Sequence, residues 1–231
     1  MERKKYPRIL FRKRLKELKE DVNEMGQLTI QAHKDSIEAF NNYDDELLEK
    51  VIKSREKVEE LNFYLERKCI SIIAAEQPVA MDLRFIEACI KVGSHLKRIC
   101  SLAVNIAEAA KNLKGEEIPA RSKDDLNHMA NLVQMMLSKG LYAFVDQNMD
   151  MARELRHDDD KVDDLFDQSL ENVTTNMFQN KDSISYMINL LFIARFLERI
   201  ADRAVSMGDR TIFMITCEKP KKLELKKSGE I

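Results

Sequence analysis

Glu198 and Asp202 lie four residues apart, so on a helix both carboxylates project from one face on adjacent turns. They interrupt an otherwise apolar run from Ile188 to Val205. Acids in such a run are costly to bury unless they are paired or hold a cation. Upstream, Asp160, Asp163 and Asp167 follow i, i+3, i+7 spacing and share one helical face. If the two helices are antiparallel neighbours, Asp160 and Asp163 come opposite Glu198 and Asp202. Four carboxylates of that kind suit a hard or borderline metal ion, divalent or trivalent: iron, zinc, manganese or magnesium. The alternative is a solvated acidic face neutralised by Arg199 and Arg203, and spacing alone leaves it open.

The remaining motifs carry less chemistry. Glu154-Leu155-Arg156-His157 is an ExxH, the pair that di-iron bundles use, but such sites need a second ExxH and the chain has none. His157 is therefore expected as a surface residue, and His33, His95 and His128 are isolated. Cys69, Cys89, Cys100 and Cys217 form no CxxC and read as reduced thiols on apolar helix faces. No glycine-rich phosphate loop exists. Met129, Met135 and Met136 recur at helical spacing and read as core filler.

The elements that must position these residues are helices. The chain has 231 residues with 44% apolar and 34% charged, but only six glycines and four prolines. A sandwich or barrel needs turn residues far more often, so an all-β fold is excluded. No apolar run approaches the roughly 20 residues that span a bilayer, and the start, MERKKYPRILFRKR, lacks an apolar signal core. The composition reads as a cytoplasmic helical protein. Apolar periodicity and punctuation predict six helices, from about Leu10 to Asn42, Glu46 to Gln77, Met81 to Lys114, Arg121 to Asp146, Met149 to Gln179 and Ser183 to Thr216. Rods of that length joined by short turns must lie antiparallel.

The two halves repeat. Met25, Leu28, Ala39 and Phe40 reappear in constant register as Met129, Leu132, Ala143 and Phe144. In the same register Glu56-Lys57-Val58-Glu59-Glu60-Leu61 becomes Asp160-Lys161-Val162-Asp163-Asp164-Leu165. After a small shift, Leu96-Lys97-Arg98-Ile99-Cys100-Ser101 matches Leu197-Glu198-Arg199-Ile200-Ala201-Asp202. The fold class is all-α, two tandem homologous three-helix bundles. The division is a basic arm over 1–9, a first bundle over 10–115, a second over 119–217 and a lysine-rich tail over 218–231.

Charge is uneven although the net is only −2. Residues 1–20 carry nine Lys or Arg against three Glu, while Asp150 to Glu171 carries nine acids against three bases. A basic arm can meet anionic lipid or a phosphate backbone, or it can simply be a solvated helix start.

Gln77-Pro78-Val79-Ala80-Met81-Asp82-Leu83-Arg84 resembles the QPxAxDLR segment of the PhoU family of phosphate-uptake regulators. Leu197-Glu198-Arg199-Ile200-Ala201-Asp202-Arg203-Ala204 is similar to that family's ERxxD signature, and the six-helix duplication resembles it over nearly the whole chain. The resemblance implies a cytoplasmic, dimeric, non-enzymatic adaptor with multinuclear metal sites on ExxxD- and DxxxD-like carboxylates. It further implies action at a phosphate ABC transporter, and in many bacteria at a phosphate-sensing histidine kinase, to repress the phosphate-starvation response.

The first bundle departs from that pattern. Lys97 and Ser101 stand where the second bundle has Glu198 and Asp202. Lys97 is expected to pair with Glu56 or Glu59 in place of a metal. Two rivals remain at this level: a carboxylate-bridged metalloenzyme, and a scaffold binding nucleic acid through residues 3–14, although nucleic acid is the less favoured partner. Peripheral membrane association through residues 3–14 is a further expectation.

Overall fold

The computed structural model describes residues 5–179 and 184–218. Arg3 and Lys4 of the arm, Ser183, and the tail over 219–231 lie outside the described residues. Six helices follow in order: α1 (Lys5–Asn42), α2 (Asp45–Glu76), α3 (Ala80–Lys111), α4 (Ala120–Val145), α5 (Met149–Gln179) and α6 (Ile184–Thr216). The helix begins before Leu10, so residues 5–9 of the expected arm belong to α1. The charged, glycine-free sequence offers nothing to stop it earlier, and Pro7 sits in the first turn, where its missing N–H costs no helical bond.

Local chemistry sets the turns. Asp44 caps α2, its carboxylate accepting from the Glu46 and Leu47 amides. Asn148 does the same for α5 through the Asp150 and Met151 amides. Each cap satisfies amides that the first helical turn leaves free. Gln77 ends α2 in a left-handed conformation, φ 47°, and donates its amide to the Ile73 carbonyl.

α1, α2 and α3 form one antiparallel bundle, and α4, α5 and α6 form the other. The halves join where α3 packs on α6 and α1 on α4. Of these, α3 and α6 are the most thoroughly apolar: α3 buries Ile86, Cys89, Val92, Leu96, Ile99 and Val104, and α6 buries Met187, Leu190, Ile193, Leu197, Ile200 and Met207. One hydrophobic core therefore runs through both bundles. Phe85 stacks on Phe144 across the joint, with ring centroids 5.9 Å apart. The repeat is visible in the packing, since Phe40 and its counterpart Phe144 are both buried. Gly208 lets α6 approach α5 closely; a Cβ there would lie 2.9 Å from the Ala152 carbonyl oxygen.

Cys69, Cys89 and Cys100 are buried, and all four cysteines are free. Cys217 is exposed rather than on an apolar face, because α6 ends at Thr216. Met129 and Met136 fill the core, but Met135 is 58% exposed, lying on the outer side of α4 between them.

Candidate metal centre

The α5–α6 seam collects the acids. Glu198 and Asp202 sit one turn apart on α6, and Asp159 and Asp163 one turn apart on α5. Asp159 and Glu198 are half-buried, whereas Asp160, Asp163 and Asp202 are exposed. Asp163, Glu198 and Asp202 are thus brought to one seam, as their spacing implies. Asp160 stands at its rim, and Asp159 takes the inward position beside it.

Asp159 was not among the residues that spacing singled out. Its signal is the four-residue step to Asp163, which matches the step from Glu198 to Asp202. Choosing i, i+3 instead selects Asp160, which lies about 100° further round the helix.

The electrostatics mark this seam as strained. Burial, then the charges of Asp163, Asp202, Asp160 and Glu198, push the Asp159 carboxyl up to about 7. Burial and the neighbouring Asp202 and Asp160 raise Asp163 as well. Glu198 is raised by burial and Asp202, against the opposing pull of Arg195 and Arg199. Its Oε1 accepts from Arg195 at 2.8 Å, while its Oε2 is buried without a hydrogen-bond partner. An oxygen-rich, mutually repelling set with an orphaned carboxylate oxygen fits a hard cation, which would reverse each of these penalties. Among the described residues no three His, Cys, Asp or Glu side chains are gathered closely enough to hold an ion as they stand. Holding an ion would require these side chains to close on it.

The matching seam of the first bundle carries different charge. By the repeat, Arg55 stands for Asp159, Glu59 for Asp163, Lys97 for Glu198 and Ser101 for Asp202. Such a set does not fit a metal ion. The expected Lys97 ion pair is absent: among the described residues Lys97 pairs with neither Glu56 nor Glu59, both of which are exposed. Arg55 supplies the positive charge there instead. Arg55 and Glu59 both act on the thiol of Cys100, which burial pushes up to about 12.

The ExxH pair is not a ligand set. Glu154 accepts from Lys139, which also reaches Asp158, and His157 is exposed.

The PhoU domain family matches the chain over residues 22–110 and 126–211, one copy per bundle. A phosphate-specific transport system accessory protein PhoU homolog from Methanothermobacter thermautotrophicus is 70% identical over 217 residues, 94% of this chain and 99% of the relative. The chain belongs to the PhoU family. A PhoU homolog from Aquifex aeolicus is 35% identical across 94% of this chain and 98% of its own. The crystal structure of PhoU from Pseudomonas aeruginosa superposes with a TM-score of 0.86 at 27% identity, covering 90% of this chain and all of that one. The PhoU fold of tandem three-helix bundles is therefore that of this chain. Among the described residues no helix is long and apolar enough to cross a membrane.

Proposed function

We propose that this chain is a non-enzymatic accessory regulator of phosphate uptake that works on the cytoplasmic side of a phosphate ABC transporter. The observation that carries the reading is the near-full-length identity to a phosphate-specific transport accessory protein. The long bundle faces supply docking surface for a transporter subunit, for a sensor histidine kinase or for a second copy of the chain. The α5–α6 seam supplies a place where a cation would join two helices: Asp159, Asp163, Glu198 and Asp202 would hold it, with Asp160 at the rim. Iron, zinc, manganese or magnesium would there supply positive charge against the carboxylates. Arg195 orients Glu198 by donating a hydrogen bond to its Oε1, and α6 keeps Glu198 and Asp202 on one face.

The direct experiment is binding of the purified chain to the same organism's phosphate transporter in detergent or nanodiscs. Stable association that changes with external phosphate is expected. A chain that never co-migrates with the transporter or its ATP-binding subunit would overturn the accessory reading.

A further inference from the structure

The end of the molecule where α1 begins combines bare positive charge with bare aliphatic surface. Arg14 meets Glu76, the last residue of α2, at 3.0 Å, so the residues before Arg14 run past the end of α2. At about 1.5 Å per residue, the stretch from Lys5 to Arg14 is roughly 14 Å long, with Phe11 packed against the core. On it Arg8, Arg12 and Lys13 are exposed, and Ile9 and Leu10 stand 62% and 50% exposed.

The α2–α3 turn lies at the same end. Gln77 and Ala80 both hold left-handed backbone, φ 47° and 50°, a conformation that costs non-glycine residues energy. The turn so built leaves Val79 73% exposed, with Met81 and Leu83 at 43% and 40% beside it. Single exposed aliphatics need no explanation, but five at one tip do.

Charge indicates what covers them. Arg8, Arg12 and Lys13 form no ion pair among the described residues. In the first bundle the acids at this end are Glu76, already taken by Arg14, and Asp82 at the start of α3; Asp146, Asp150 and Glu218 stand at the same end on the second bundle. Aliphatic side chains ringed by arginine and lysine suit a bilayer surface, where insertion needs apolar area but no shaped pocket. We propose that this tip docks on an anionic lipid bilayer. Ile9, Leu10, Val79, Met81 and Leu83 enter the headgroup boundary, and Arg8, Arg12 and Lys13 meet lipid phosphates.

The proposal goes beyond the accessory role and is independent of it, because vesicles contain no transporter. The test is flotation of the full chain with vesicles of phosphatidylcholine alone or mixed with phosphatidylglycerol. Binding to the anionic vesicles only, weakening steeply with salt, is expected. Arg8→Glu with Arg12→Glu and Lys13→Glu should weaken it by about 100-fold or more. Ile9→Ser with Leu10→Ser and Val79→Ser should weaken it about tenfold or more at unchanged charge. All six positions are exposed, so both variants should melt as the parent does. No binding at low salt, as a tip built for an acidic protein surface would show, overturns the proposal. Equal binding to neutral vesicles overturns it too, as does binding that survives both triple variants.

Discussion

Arg84 donates its Nε–H to the Met214 carbonyl at 2.9 Å, tying the start of α3 to the end of α6. That carbonyl belongs to the last turn of α6, where helical partners run out, and the Glu218 amide is already engaged with the Thr216 hydroxyl. One motif side chain thus completes a helix end in the other bundle.

Arg84→Ala should leave the Met214 carbonyl without its partner and loosen the joint between the bundles. The expected loss is about 1–3 kcal/mol, read as a lower urea midpoint. An unchanged midpoint would show that the contact contributes nothing.

Acid should destabilise the protein through His33. It is fully buried with both ring nitrogens unpartnered, and burial pushes it from 6.5 down to about 4. Between those values the unfolded chain takes up a proton that the folded one refuses. The stability is present in full above pH 6.5 and falls by on the order of 2–3 kcal/mol as pH drops towards 4. His95 shifts the same way, chiefly by burial and then by Arg203 and Arg210. His33→Leu, of similar volume, should therefore flatten the acid limb without abolishing it. Denaturant titrations from pH 4 to 7 with the parent slope retained would refute this.

Asp159 should act with the opposite sign. Its carboxyl is raised from 3.8 to about 7, so in that window the folded chain holds a proton the unfolded chain has released. Stability of chelated protein is lost as pH rises through this window and is lowest above about 7. Asp159→Asn should then stabilise the chelated protein above that window by on the order of 1–2 kcal/mol, after allowing for solvent screening. The gain should shrink as pH falls. With saturating metal the same substitution should destabilise, because a ligand is gone. Melting curves with chelator and with added metal that shift in the same direction would remove Asp159 from the site.

Metal should bind in the second bundle alone. Glu198→Gln with Asp202→Asn should abolish bound metal and lower the melting temperature of the metal-loaded chain. Arg55→Asp with Lys97→Glu and Ser101→Asp should install a second carboxylate seam and raise the metal-to-chain ratio. Elemental analysis checks both. Full metal content in the Glu198/Asp202 variant would place the ion elsewhere, and wild-type metal in both bundles would end the asymmetry.

The duplication and the helical class were legible in the sequence because they rest on local rules. A three-to-four apolar period buries one side of each helix, and few helix breakers leave only short turns. The same periodicity located Glu198 and Asp202, since a four-residue step stays on one face wherever the helix goes. Three things needed the tertiary structure. Whether Asp159 or Asp160 faces the seam depends on how α5 is rotated against α6, and one residue means about 100° of that rotation. Whether Lys97 meets Glu59 depends on how α2 and α3 are turned against each other, and the two form no ion pair although Glu59 lies close enough to act on Cys100. The meeting of Arg84 with Met214 joins residues far apart in the chain, and only the packing of α3 on α6 brings them together. Periodicity is a property of one helix, whereas rotation and register between helices are decided by the summed packing of all six.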